Sequence, residues 1–140
     1  MATNPLTAGT HEVTYQADRE TPLCQVIGNR LNTANKNQAD ADVAQVLTVL
    51  PGVFVLLASM KIITAEGAAQ TFDLGDGDDV DFYLAEVDGN AAAGTIYTSV
   101  NLGTLPSRMY SAADTIDVVS HGAAGVGIYD VRAVQFVLYP

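Results

Sequence analysis

Short apolar runs alternate along the chain with clusters of Gly, Asn, Asp and Pro, at intervals of about ten residues. "HEVTYQA", residues 11–17, sets His11, Val13, Tyr15 and Ala17 against Glu12, Thr14 and Gln16, the period of a strand. "CQVIGNRL" (24–31) carries the same signal more weakly, and "NTANKNQADAD" (32–42) is polar enough to be a loop. "DVAQVLTVL" admits two readings. Val43, Val46, Leu47 and Leu50 recur at helical spacing, but Val43, Leu47 and Val49 also share one face of a strand. Pro51-Gly52 behind it is a turn signal, and "VFVLLASMKIIT" beyond that is a long strand, so the strand reading is favoured.

The punctuation then becomes regular. "AEGA" (65–68) is a turn, "QTFDL" a strand, "GDGDD" a turn and "VDFYLAEV" (80–87) a strand. After the loop "DGNAAAG" come the strand "TIYTSVNL", the connection "GTLPSR", the strand "DTIDVVS", the turn "HGAAG" and a last strand, "VGIYDVRAVQFVLY". No helix-period segment of comparable length competes, and no tandem repeat is present. The expected fold is all-β: a β-sandwich or jelly roll of short antiparallel strands. Residues 1–12 are expected to form an extended N-terminal arm, and 13–140 a single β-sandwich domain. The last strand is apolar on both faces, which predicts a central position, buried on both sides or covered by a neighbouring subunit.

Charge narrows the partners. The 140 residues hold 16 Asp and Glu against 6 Lys and Arg, a net charge of −10. A phosphate backbone repels such a chain, so neither nucleic acid nor an anionic membrane is an expected partner. The single cysteine, Cys24, forms no internal disulfide and reads as a small buried hydrophobe. The N-terminus lacks the basic start and apolar core of a signal peptide. The longest apolar run is broken by Lys61 and falls well short of the ~20 residues of a membrane span. A soluble protein made in the cytoplasm is therefore expected.

Five aspartates, Asp73, Asp76, Asp78, Asp79 and Asp81, crowd the stretch "TFDLGDGDDVDFYLAE". An EF-hand would need a glycine at its sixth position and a glutamate at its twelfth, and neither falls in place. A hairpin fits better. With "GDGDD" as a five-residue loop, Leu74 pairs with Val80 and Phe72 with Phe82, which puts Asp73 opposite Asp81. Like charges across strands repel, so solvent and salt, a partner's basic residue, or a calcium or magnesium ion must offset them. Solvent and salt are the favoured offset and no metal is expected, Asp73 and Asp81 being the candidate ligands if an ion is the offset; no cofactor is expected. His11 and His121 have no carboxylate or nucleophile at a telling spacing, and no catalytic motif is present, so an enzyme is not expected.

Several segments together, "NRLNTANKNQADADVAQVLTVLPGVFVLLASMKIITAEG", "FDLGDGDDVDFYLAEVDGN", "YSAADTIDVV" and the final strand, resemble small virion structural proteins of tailed bacteriophages, in particular head decoration or cement proteins. The resemblance covers roughly residues 26–138 and rests on strand-and-turn texture. It implies a jelly-roll-like fold, a homotrimer or other homo-oligomer, the major capsid protein as partner, and a place on the capsid surface of a virion assembled in the host cytoplasm. No active site carries over. Candidate interface residues are Asp73, Asp81 and Tyr83 at the acidic turn, with Asn4, Pro5 and Leu6 in the arm. The alternative is a receptor- or carbohydrate-binding β-module of a phage tail or fibre, which six tyrosines keep open although tryptophan is absent.

Overall fold

A computed structural model describes residues 10–11, 23–35, 39–102, 106–123 and 125–138. Among them are ten strands: β1 (Thr10–His11), β2 (Leu23–Asn32), β3 (Val43–Val49), β4 (Val53–Thr64), β5 (Thr71–Asp76), β6 (Leu84–Asp88), β7 (Ile96–Thr98), β8 (Arg108–Tyr110), β9 (Asp114–His121) and β10 (Ile128–Val137). The only helical pieces among these residues are single 3₁₀ turns at Thr33–Asn35 and Ser99–Leu102. The expected all-β fold is present.

The pairing is that of a long antiparallel ribbon rolled on itself. β2 pairs β10, β3 pairs β9, β4 pairs β8, and β5 pairs β6, with successive rungs alternating between two sheets. The larger sheet runs β1-β2-β10-β4, with β7 and β8 both on the far edge of β4; the smaller runs β3-β9-β5-β6. This is a jelly-roll arrangement of a β-sandwich. β1 joins the sheet edge through Thr10 opposite Ile27 and His11 opposite Val26. The candidate arm residues Asn4, Pro5 and Leu6, and the rest of the strand expected over 11–17, lie outside the described residues.

Local chemistry settles the helix–strand ambiguity at 43–50. Pro51 presets its own φ and Gly52 takes φ +82°, while the Val53 N–H reaches the Leu50 carbonyl at 3.3 Å, a type II turn between β3 and β4. The shared face expected for Val43, Leu47 and Val49 is corrected. Between Gln45 and Leu47 the register slips, so Val46 is the extra residue of a β-bulge. Ala44 and Val46 point inward before the bulge and Leu47 and Val49 after it, leaving Val43 exposed.

The core lies between the inner faces. Val53, Val55, Ala58, Met60 and Ile62 of β4, with Tyr129, Val131 and Ala133 of β10, meet Leu47, Val49, Phe72, Leu74, Ile116 and Val118. Each larger side chain stabilises the fold by roughly 1.5–3 kcal/mol on burial. Phe72 sits edge-on against Tyr129, with ring centroids 4.9 Å apart. β10 is central as expected, between β2 and β4. Its outer-face residues Ile128, Val134 and Phe136 are half-buried by their cross-strand neighbours.

Three elements depart from expectation. The strand expected at 80–87 begins only at Leu84, because residues 77–83 fold back as a loop. The strand expected at 95–102 stops at Thr98. There Ser99 turns inward and its Oγ accepts the Ala58 N–H at 3.2 Å, so a side chain takes over from the ladder. β8, three residues long, has no sequence period to betray it.

Gly75 fixes the fold-back. It faces outward from the smaller sheet, between inward-facing Leu74 and Asp76, and a Cβ there would overlap the Asp79 carbonyl and the Val80 backbone. The Gly75→Ala variant should therefore lose at least about 2 kcal/mol in urea unfolding. Unchanged stability would mean that the loop does not rest on this strand.

Candidate functional site

Asp76 is the centre from which the acidic stretch is organised. It ends β5 on the inner face and is 1% exposed. Arg108 Nη1 donates to both its carboxylate oxygens, at 2.7 and 2.8 Å, and the Tyr110 hydroxyl donates to Oδ2 at 2.6 Å. Arg108 and Tyr110 lie on β8, partnered with Val55 and Val53 of the larger sheet, so these bonds cross the sandwich. Oδ1 also accepts the N–H groups of Asp78 and Asp79, both at 3.1 Å, which bends the chain into the loop. The Arg108 guanidinium lies 4.1 Å over the Phe82 ring, and its Nη1 is 3.6 Å from Asp78 Oδ2. Asp76 is thus paired, hydrogen-bonded and dry, the condition under which a buried carboxylate is tolerable.

Tyr83, expected at an interface, is fully buried; its hydroxyl lies 2.9 Å from that of Tyr110. Burial above all pushes the Tyr83 phenol up to about 12, with the Asp76 charge adding to it against the Tyr110 bond. Tyr110 is raised further, by burial and then by its bonds to Asp76 and Tyr83. Both phenols are therefore protonated near neutral pH and act as hydrogen-bond partners rather than as bases.

The expected cross-strand pairs do not form. Leu74 pairs with Leu84 rather than Val80, and Phe72 pairs with Val87 rather than Phe82, with a register shift between them. Asp73 consequently does not face Asp81. The physical reason is Asp76: by turning inward to Arg108 it carries β5 two residues beyond Leu74 and pushes the loop out to Tyr83. Asp73 is mostly buried on the outer face, where it accepts the Glu86 N–H at 2.8 Å and meets His121 Nε2 at 2.5 Å. Glu86 has φ +52° in the bulge that this contact secures. The Asp73 hydrogen bond raises the His121 pKa, against slight desolvation, with the charges of Asp73, Asp40 and Glu86 adding to the effect. Asp81 is exposed, and its carboxyl is raised chiefly by the hydrogen bond to Asp79 beside it. Among the described residues no group of three or more His, Cys, Asp or Glu side chains converges on a common point.

Cys24, expected to be buried, is half-buried on the outer face of the larger sheet beside Phe136. His121 stands on the outer face of the smaller one, so the fold sets this thiol and imidazole on opposite sides of the sandwich.

Two further carboxylates escaped sequence reasoning. Glu66, in the turn between β4 and β5 at the opposite end of the sandwich from Asp76, is 6% exposed. It accepts hydrogen bonds from Thr33 Oγ1 at 2.5 Å, from the N–H groups of Gly125 and Val126 at 3.0 Å, and from the Tyr129 hydroxyl at 3.1 Å. A Cβ at Gly127 would overlap both the Tyr129 hydroxyl and Glu66. Burial raises the Glu66 carboxyl, but the Thr33, Val126, Gly125 and Tyr129 donors together hold it below its ordinary value. Asp117, on the outer face of β9 opposite Gly75, is the contrary case. Its Oδ1 is buried with no hydrogen-bond partner. Burial raises its carboxyl, the Thr115 side chain counters in part, and the Asp114 and Asp76 charges add to the rise.

No protein-family model matches the chain, and no curated protein matches it in sequence. Solved structures do match in fold. A chain of the Cyanophage Pam1 capsid asymmetric unit aligns with a TM-score of 0.64 at 14% identity, over 98% of this chain and 92% of that one. A chain of the acidic stable capsid structure of Helicobacter pylori bacteriophage KHP30 aligns with a TM-score of 0.60 at 11% identity, over 82% and 87%. A chain of the capsid of Ralstonia phage GP4 aligns with a TM-score of 0.55 at 12% identity, over 99% and 93%. These likenesses are of fold, over nearly the whole length of both partners.

Two variants test the buried carboxylates. Glu66→Gln should cost about 2 kcal/mol in urea unfolding near neutral pH, because charge-assisted bonds are lost. The Glu66 contribution is present above its unfolded pKa of about 4.3 and fades as pH falls through the lower folded value. The gap between wild type and variant should therefore narrow in acid, and a gap that stays constant or widens as pH falls below about 4.3 would contradict the assignment. Asp117→Asn should instead gain about 1 kcal/mol at neutral pH, read as a higher melting temperature, by removing a buried charge that one carboxylate oxygen leaves without a hydrogen bond. The raised carboxyl of the wild type takes up its proton as pH falls through the folded value, so acidification should shrink this gain. A melting temperature that drops at neutral pH would show that Asp117 Oδ1 has a partner of its own.

Proposed function

We propose that this chain is a non-enzymatic structural protein of a tailed-bacteriophage virion, a decoration or cement protein that binds the outer surface of the head and stabilises the shell. The observation that carries the reading is the jelly-roll likeness over 98% of this chain and 92% of a chain in the Cyanophage Pam1 capsid. Two other likenesses, to chains of the KHP30 and GP4 capsids, support it. The partner in this reading is the major capsid protein, and the chain works as a homotrimer or other homo-oligomer. The net charge of −10 suits a protein that contacts protein rather than the packaged nucleic acid. The structure of the polar groups supports the same view. Asp76, Glu66, Tyr83, Tyr110 and Tyr129 hold one another and the backbone together, and their hydrogen-bonding capacity is used inside the fold.

Attachment of this kind depends on buried interface, about 1,200–2,000 Å² in total for a specific contact. Repetition by symmetry then multiplies modest contacts, because removing one subunit breaks several at once. A rigid β-sandwich serves this well, since little ordering entropy is lost on docking. Particles of the encoding phage made without this chain should lack regularly spaced density on the head and should release their DNA at a lower temperature. Unaltered heads, with the difference confined to a tail or fibre, would overturn the reading in favour of a receptor- or carbohydrate-binding module.

A further inference from the structure

The two outer faces of the sandwich carry opposite charge. On the larger sheet, cross-strand partners place Lys61, Asp130 and Arg30 in one row, and Ser59, Arg132 and Gly28 in the next. Among the described residues, three of the chain's six basic side chains thus share this region with one carboxylate, in a protein of net charge −10. Asp130 accepts from Arg30 Nε at 2.8 Å and lies 3.8 Å from Arg132 Nη2. The two guanidinium side chains remain 60% and 51% exposed, leaving donors toward solvent. Gly28 contributes no side chain beside Arg132, and a groove of about 310 Å³ is lined here by Val26, Gly28, Arg30, Asp130 and Arg132 among others. Its chemistry suits a projecting turn that offers an apolar side chain flanked by carboxylates.

The other outer face presents such a turn. Asp78, Asp79 and Asp81 are exposed around Val80, itself 49% exposed. This tip is held in shape: Asp76 accepts two of its N–H groups and its backbone rests on Gly75. Groove and tip lie on opposite sides of one sandwich, so they cannot meet within a molecule. We propose that the acidic tip around Val80 of one copy docks in the Arg30–Arg132 groove of a second copy, in a head-to-tail contact that builds the homo-oligomer. Such a contact is heterologous: repeated by a rotation that closes, it builds a ring, and by any other operator an open chain. The inference deepens the homo-oligomer part of the function proposed above. Its test uses the chain alone in solution, so its failure is distinct from a failure to bind phage heads.

Charge reversal with cross-complementation decides the matter. Lys61→Glu/Arg132→Glu inverts the groove while leaving the Arg30–Asp130 pair, and Asp79→Lys/Asp81→Lys inverts the tip. Far-ultraviolet circular dichroism and melting curves establish that each variant is folded. Sedimentation equilibrium at low salt should find the full wild-type chain associated, with dissociation promoted at about 0.5 M salt, where exposed charges are screened. Each variant alone should associate at least about tenfold more weakly, a loss of about 1.4 kcal/mol. An equimolar mixture should re-associate, because the acidic groove of one variant then meets the basic tip of the other. A monomeric wild type, association that survives both reversals, or a mixture that stays apart would each overturn the proposal.

Discussion

The bond between Asp76 and Arg108 couples the two features on which the molecule depends. It crosses the sandwich from the smaller sheet to the larger, and on its near side it gathers the Asp78 and Asp79 amides into the acidic turn. An isolated carboxylate in that position would be prohibitively desolvated. Arg108 and Tyr110 make it tolerable, and a strand as short as β8 is held where it is partly by this demand. Glu66 performs a related task at the other end with neutral donors alone, joining the 3₁₀ turn at Thr33–Asn35, the loop before β10, and β10 itself. The apolar core between these two points supplies most of the stability, and the carboxylates determine how its ends are closed.

Much of the fold was legible in the sequence, and the reasons differ by element. β4 appears as a twelve-residue apolar run behind a Pro-Gly turn, and both signals act locally. β9 and β10 likewise follow from alternation bounded by glycine-bearing turns. The pairing of β2 with β10 or β3 with β9 was not readable, because it joins segments far apart in the chain and local pattern carries no record of the partner. The bulge at Val46 was hidden for a related reason. Two adjacent inward residues look like noise in a period of two until the partner strand reveals the slip.

The acidic turn shows where pattern reasoning gives way to chemistry. Alternation placed Leu74 opposite Val80, a register that satisfies the hydrophobic faces of both strands. It had no means of weighing a buried ion pair with Arg108, 32 residues further along. Gly75 reads from the sequence as part of the turn "GDGDD", whereas it lies within β5 and lets backbone approach backbone. His121 gave no hint of Asp73, because the two meet across strands 48 residues apart in sequence. The resulting object is a closed sandwich whose polar interior is spent on its own architecture and whose outer faces differ in charge. Its fold is the one it shares with chains of phage capsids.

Amide hydrogen exchange at Asp78 and Asp79, recorded once with a strong chelator and once with added calcium, tests whether Asp76 shapes the turn. Both amides, bonded to the Asp76 carboxylate, should exchange at least about tenfold more slowly than in an unstructured peptide under either condition. Exchange at unstructured rates, or protection that emerges only when calcium is added, would contradict it: the turn would then be a solvated or ion-dependent loop rather than one shaped from within the fold.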